Sequence, residues 1–77
     1  MDYSQRIITD PKIMLGKPVI NGTRITVELI LKKMSEGMSV NEFLEAYDHI
    51  ARDDVFAALK YASDLIANEE IIVPHAS

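Results

Sequence analysis

The sequence predicts an α+β fold in which a short N-terminal β-hairpin or ribbon precedes a three-helix, homeodomain-like bundle. Three observations predict it. β-branched residues and turn signals fill the first third of the chain, three segments with helical apolar spacing follow, and these segments begin at capping or acidic residues. The 77 residues form one domain, with the ribbon over 1–25, the bundle over 26–68 and a C-terminal tail over 69–77.

The ribbon prediction depends on Asn21-Gly22, a dipeptide typical of the type I′ hairpin turn, whose two central residues both take positive φ. Pro18–Ile20 and Thr23–Ile25 would pair across this turn as antiparallel strands. Arg6–Thr9 is a further strand candidate because of its β-branched residues. The segment Lys12–Leu15 carries no clear signal for helix or strand.

Capping residues mark the predicted helices. Thr26 is a plausible N-cap for the first helix, and Gly37 supplies the positive φ that ends it. Ser39 and Glu42 form a Ser-x-x-Glu capping box for the second helix. The predicted helices are 27–36, 40–47 and 52–68.

Apolar residues recur along one face of each predicted helix, and these faces are expected to form a common core. The core positions are Val27, Ile30, Leu31 and Met34 in the first helix, Val40, Phe43, Leu44 and Tyr47 in the second, and Val55, Leu59, Ala62 and Ile66 in the third.

The composition excludes several classes of protein. Without cysteine there are no disulfides or thiolate metal sites, and His49 and His75 are too isolated to form a metal cluster. No apolar run approaches the roughly 18 residues of a membrane span. We therefore expect a cytoplasmic protein with no metal and no cofactor.

Charge is divided unequally along the chain. Residues 1–34 carry six basic and three acidic side chains, whereas residues 35–77 carry two basic and nine acidic ones. A basic half and an acidic half suggest two surfaces with different partners. Ordinary solvated faces are the competing interpretation.

No residues are arranged for catalysis. Asp53 and Asp54 are adjacent, but their place at the start of a helix explains them as groups that complement the helix dipole. No serine has a neighbouring histidine in a recognisable motif. The sequence therefore predicts no catalytic residue, and the protein is not expected to be an enzyme.

Two groups of residues carry a family resemblance. The first is Asp10-Pro11, Gly16-Lys17-Pro18, Ile20, Gly22-Thr23-Arg24-Ile25 and Val27. The second is Gly37-Met38-Ser39, Glu42, Leu44, Tyr47, Asp54-Val55 and Ala57-Ala58-Leu59-x-Tyr61-Ala62. With this spacing, the run from Ile8 to Ala62 resembles a bacterial and archaeal family known as domain of unknown function 433, DUF433.

Three positions depart from the family pattern. Leu15 stands where the family often has a second glycine, and Thr26 and Asp48 stand where it often has proline. The departures leave the predicted ribbon and helices in place, but the change at Leu15 bears on the shape of its loop.

The resemblance implies a homeodomain-like helix-turn-helix fold with a β extension. It also implies the antitoxin half of a toxin–antitoxin pair, whose partner is a PIN-like ribonuclease toxin. Such a protein would bind and neutralise the nuclease, and as a homodimer it would repress its own operon by binding operator DNA. The alternative hypothesis is a protein-interaction module or subunit that does not bind DNA.

Two surfaces compete as the DNA-binding surface. Homeodomain analogy selects the third helix, but Arg52 and Lys60 share that helix with Asp53, Asp54 and Asp64, which oppose phosphate contact. A dimeric ribbon that presents the N-terminal cations is the competitor, because two-stranded ribbons also fit the major groove. The candidate DNA-binding residues are Lys12, Lys17, Arg24, Lys32, Lys33, Arg52 and Lys60.

Structural roles compete with DNA contact at these positions. Arg24 closes the predicted hairpin, so it could pair with Asp10 or donate to loop carbonyls. Lys32 and Lys33 could form an ordinary solvated helix face.

The acidic second half suits a nuclease partner, because a ribonuclease must attract a polyanion and its mouth is often basic. Ile71–Val73 could add to a sheet edge or remain a free end, and the acidic residues could serve solubility alone. The candidate partner-binding residues are Tyr61, Asp64, Leu65, Glu69, Glu70, Ile71, Ile72 and Val73.

Overall fold

The computed structural model describes residues 3–68, in which two short strands precede three α-helices. The elements are β1 (Ile7–Ile8), β2 (Val19–Ile20), α1 (Val27–Ser35), α2 (Val40–Ala46) and α3 (Arg52–Ala67). The predicted α+β fold, a short antiparallel ribbon followed by three helices, is therefore confirmed.

β2 lies at the centre of the ribbon. Its residues pair antiparallel with β1, with Ile20 opposite Ile7 and Val19 opposite Ile8. On its other side, the Ile20 amide donates to the Ile25 carbonyl at 2.9 Å, and Val19 forms an isolated bridge with Thr26. Within residues 3–68, the free edge of this ribbon is therefore the two-residue strand β1.

The predicted strand at Thr23–Ile25 does not form, and the turn is not type I′. Gly22 has φ of 82°, but Asn21 stays outside the left-handed region. The Thr23 hydroxyl donates to the Ile20 carbonyl and accepts from the Ile25 amide, each at 2.9 Å. These bonds hold the segment in a turn, so the principal partner of β2 is the earlier strand β1.

The loop between the strands contains a single left-handed turn. Met14, Leu15 and Gly16 have φ of 50°, 59° and 81°. The turn forms where the sequence carries no clear signal, and Leu15 lies in a backbone region that favours glycine.

The predicted helix caps are confirmed. The Thr26 hydroxyl accepts from the Leu29 amide at 2.9 Å. Ser39 and Glu42 complete the capping box, because each side chain accepts from the backbone amide of the other residue, at 3.1 and 3.0 Å. Gly37 follows α1 with φ of 101°. Local hydrogen bonding thus fixes the start of α1 and α2.

The core forms where α3 packs against α1, α2 and β1. Its largest fully buried side chains are Phe43, Ile30, Val19 and Val55. Ala57 and Ala58 of α3 are also fully buried, although the predicted stripe omitted them.

Two predicted core positions are wrong. Leu31 is 37% exposed and Ile66 is 63% exposed. Periodicity identifies the apolar side of a helix, but it does not show how much of that side a neighbouring element covers. Within residues 3–68, no element covers these two side chains.

Polar contacts fasten the N-terminal segment to α3. The Tyr3 hydroxyl donates to Asp64 Oδ2 at 3.0 Å, and Lys60 Nζ donates to Asp64 Oδ1 at 2.8 Å. The Tyr3 ring meets the Tyr61 ring edge to face, with centroids 5.6 Å apart. Arg6 Nη1 donates to Asp54 Oδ1 at 3.0 Å. Hydrogen bonds from Lys60 and then Tyr3 lower the pKa of Asp64.

We expect Thr26→Ala to destabilise the fold by about 1 kcal/mol, because it leaves the Leu29 amide at the start of α1 without its acceptor. Urea unfolding measures the change. Thr9→Ala is the matched control, since Thr9 is exposed and its side chain forms no hydrogen bond within the described part of the chain. Equal stability of the two variants would contradict a capping role for Thr26.

We expect Asp64→Asn to destabilise the protein at neutral pH, because the ionised carboxylate binds both Lys60 and Tyr3. The lowered pKa makes this stabilisation complete above the unfolded value of about 3.9 and removes it as pH falls through the folded value. The difference from wild type should therefore shrink in acid. Asp48→Asn is the control. A difference that grows as pH falls would contradict this account.

Candidate partner-binding surfaces

An exposed apolar groove runs between α1 and α3. It has a volume of about 280 Å³ and is hereafter called the α1/α3 groove. Val27 and Ala62 are buried on α1 and α3 at its base, while Leu31, Leu65 and Ile66 are 37%, 50% and 63% exposed. The full lining is Pro18, Val27, Glu28, Leu31, Tyr61, Ala62, Leu65 and Ile66.

The groove continues the apolar stripes of the core beyond the region that other elements cover. Leu31 lies one helical turn after the buried Val27, and Ile66 lies one turn after the buried Ala62. The lining along α3 from Tyr61 to Ile66 spans about 7.5 Å. This geometry can accept the apolar face of a short helix or an extended segment.

Ion pairs occupy the charged residues beside the groove. Lys17 Nζ donates to Glu28 Oε1 at 2.7 Å, and this hydrogen bond lowers the pKa of Glu28. Asp64 is held by Lys60 and Tyr3. The groove is therefore an apolar surface whose neighbouring carboxylates are neutralised within the molecule.

The predicted partner-binding residues fall into three sets. Tyr61 and Leu65 line the groove. Asp64 lies on the same helix, but its carboxylate binds Tyr3 and Lys60. The remaining predicted residues lie outside the described part of the chain: Glu69, Glu70, Ile71, Ile72 and Val73.

Apart from the buried Val27 and Ala62, sequence reasoning missed four lining residues, of which Glu28 was given no role. Leu31 and Ile66 were assigned to the core, and Pro18 to a strand. The sequence signal for such a groove was the high apolar content of the chain, 48%, because so small a domain leaves apolar surface for another molecule.

The predicted DNA-binding cations also divide into two sets. Lys17 pairs with Glu28, Lys60 pairs with Asp64, and Arg52 donates a hydrogen bond to Asn41 Oδ1. The candidate cations that form no ion pair within residues 3–68 are Lys12, Arg24, Lys32, Lys33 and Arg52, whose partner Asn41 is uncharged. Four of these five cations come from the N-terminal half, and the fifth, Arg52, begins α3 directly before Asp53 and Asp54.

The alternative pairing of Arg24 with Asp10 is wrong. Asp10 Oδ1 instead accepts from the Lys12 backbone amide at 2.9 Å, which closes the turn at Pro11. The Arg24 side chain is exposed and forms no hydrogen bond in the described chain.

The start of α3 is acidic, and its carboxylates already have partners within the molecule. Arg6 contacts Asp54 at 3.0 Å and Asp53 at 3.8 Å, so an arginine that was not among the candidate DNA contacts is bound to this helix. The second Asp54 oxygen accepts from the Ala51 amide at 2.8 Å. These contacts leave the first turn of α3 poorly suited to phosphate.

A polar hollow of about 560 Å³ lies where the ribbon meets α3, lined by Gln5, Arg6, Asn21 and Asp54. Its polar groups bind one another, because Arg6 pairs with Asp54 and Asn21 Nδ2 donates to the Gln5 carbonyl at 3.1 Å. Among residues 3–68, no cluster of His, Cys, Asp or Glu could hold a metal ion, and no helix is long and apolar enough to cross a membrane.

Comparison with known proteins identifies a family but no established activity. A similar solved structure is that of a DUF433 member protein from Anabaena variabilis, with a TM-score of 0.76 and 26% sequence identity. The match covers 79% of this chain and 60% of that one, so this chain spans somewhat less than two thirds of its relative. No curated protein matches. Residues 7–62 match the family described as "Protein of unknown function (DUF433)", and the chain belongs to that family.

Proposed function

We propose that this protein is an antitoxin-type regulator that binds and neutralises a PIN-like ribonuclease and represses its own operon by binding DNA. The observation that carries the protein-binding part is the α1/α3 groove, which leaves Leu31, Leu65 and Ile66 exposed side by side. Adjacent exposed apolar side chains with no covering element are typical of a protein interface.

The groove supplies the apolar contact that such an interface needs. A few well-packed residues usually dominate binding energy, and Leu65 with Tyr61 can serve as the centre of the contact. A helix or an extended segment of the nuclease would satisfy the geometry equally well.

Long-range charge supports the same partner. The second half of the chain carries nine acidic residues, and five of the described ones are exposed around the helices: Glu36, Glu42, Glu45, Asp48 and Asp53. A negative surface of this kind speeds encounter with the basic mouth of a ribonuclease. Increasing salt should therefore slow association more than it speeds dissociation.

We expect Leu65→Ser to weaken binding of the PIN-like nuclease encoded beside the gene by about tenfold or more, which corresponds to about 1.4 kcal/mol. Leu65 is half-exposed, so the substitution removes contact area without opening the core. Calorimetry measures the affinity, and an RNA-cleavage assay should show less inhibition.

Phe56→Ser is the matched control, because Phe56 is an exposed apolar residue of α3 that does not line the groove. Equal losses in the two variants would contradict the groove as the contact site. Absence of any complex with the nuclease would contradict the neutralisation proposal itself.

The DNA-binding part rests on a separate observation. Four exposed or half-exposed cations of the N-terminal half, Lys12, Arg24, Lys32 and Lys33, have no acidic partner within residues 3–68. In α3, Lys60 pairs with Asp64, and Arg52 has no acidic partner but stands at the acidic start of the helix. Cations supply the affinity for phosphate, and neighbouring carboxylates oppose it. We therefore place the DNA contact on the N-terminal half, and an interaction module that does not bind DNA is the second candidate.

We expect each substitution of Lys12, Arg24, Lys32 or Lys33 by glutamine to weaken binding to a duplex from upstream of the gene. Each should also lower the slope of log K against log salt by about 0.9, since each phosphate contact releases counterions. Gel shifts at several salt concentrations measure both quantities. If Arg52→Gln and Lys60→Gln abolish the shift while these four do not, the DNA contact belongs to α3. If no shift occurs, the module without DNA binding is correct.

A further inference from the structure

The loop that joins β1 to β2 presents an apolar tip. Leu15 is 94% exposed, the largest exposure among the large hydrophobic residues of the described chain, and the neighbouring Met14 is 41% exposed. Neither belongs to the α1/α3 groove. Leu15 therefore needs an explanation separate from the nuclease contact.

The backbone holds this tip in a fixed and disfavoured conformation. Met14, Leu15 and Gly16 all have positive φ, a region in which a Cβ atom is crowded. Hydrogen bonds close the turn locally, from the Gly16 amide to the Ile13 carbonyl and from the Lys17 amide to the Met14 carbonyl, both at 3.1 Å. Disfavoured conformations that the surrounding structure maintains are concentrated at functional sites.

Cations stand on both sides of Leu15. Lys12 precedes it by three residues and forms no ion pair within residues 3–68. Lys17 follows it by two residues and pairs with Glu28, but both side chains of that pair are more than half exposed. An exposed pair contributes little stability, so Lys17 can exchange its carboxylate for a phosphate.

We propose that Leu15 is an apolar wedge that enters the minor groove of duplex DNA and inserts between base pairs, while Lys12 and Lys17 bind the flanking phosphates. This inference rests on the DNA-binding part of the proposed function and specifies how that surface would act. The wedge lies on the connection of a two-stranded antiparallel ribbon, and β-ribbons of DNA-binding proteins use either the major or the minor groove.

Duplex DNA fits these features better than a protein pocket does. A base stack accepts a leucine or methionine side chain between its steps, and phosphates lie on both sides of the insertion point. Insertion bends the duplex, and bending is easiest at TA and CA steps. The proposal therefore predicts a bend that depends on the side chain at position 15.

The test measures bending by energy transfer between dyes at the two ends of a duplex from upstream of the gene. Wild-type protein should increase the transfer. Leu15→Gly should remove the increase and weaken binding about tenfold, whereas Leu15→Met should retain both. The free energy of unfolding of Leu15→Gly should equal or exceed that of wild type, because glycine accepts the positive φ at position 15.

Two controls distinguish the effect of the Leu15 side chain on bending from the effects of charge and of surface hydrophobicity in general. Lys12→Gln should weaken binding and reduce its salt dependence while the bend at saturation persists. Phe56→Ala removes an exposed apolar side chain outside the ribbon and should leave the bend unchanged.

Each remaining outcome overturns the proposal in a recognisable way. If Leu15→Gly bends DNA as wild type does, the wedge is wrong and the DNA-binding part of the proposed function stands. If no duplex is bound, both fail, and nuclease neutralisation is unaffected. If Leu15→Gly loses nuclease binding but retains the DNA bend, Leu15 contacts a protein.

Discussion

The packing of α3 is the constraint on which the rest of the structure depends. This helix contacts α1, α2 and β1, and it buries Val55, Ala57 and Ala58 completely. Small alanine side chains allow neighbouring elements to approach the helix closely, so they determine where the other elements lie. Polar contacts outside the core hold the N-terminal segment against α3, because Tyr3 binds Asp64 and Arg6 binds Asp54. One helix thus positions both the ribbon and the bundle.

The central packing role of α3 explains which of its side chains remain available to other molecules. Several of its polar side chains have partners within the molecule, since Lys60 and Asp64 bind each other and Arg52 binds Asn41. In its last two turns α3 presents apolar surface to other molecules, because there it forms one wall of the α1/α3 groove. Four of the five candidate cations without an acidic partner lie instead in the N-terminal half. The unequal charge along the sequence is thereby retained in the fold, and it supports assigning protein binding and DNA binding to different surfaces.

The sequence predicts features that local chemistry determines and misses those that depend on distant neighbours. Thr26 and Ser39 cap their helices because each cap is a hydrogen bond between residues three apart. The Asn21-Gly22 turn was assigned to the wrong type, because the partner of β2 is a strand twelve residues earlier and the Thr23 hydroxyl shapes the turn. Leu31 and Ile66 have core periodicity yet line the groove, since periodicity does not reveal whether another element covers a face. The left-handed turn at Leu15 has no sequence signal apart from a departure from the family pattern.

The proposal that this chain acts by binding a nuclease can be tested by capturing the tagged protein from its native host and quantifying every bound molecule. We expect a PIN-like ribonuclease in stoichiometric amount, whose RNA cleavage resumes when the complex is separated. Capture of DNA with no protein partner would contradict neutralisation and would make the chain a stand-alone DNA-binding protein. Capture of a stoichiometric protein that is not a nuclease would also contradict the claim, although the α1/α3 groove would then still have an occupant to identify.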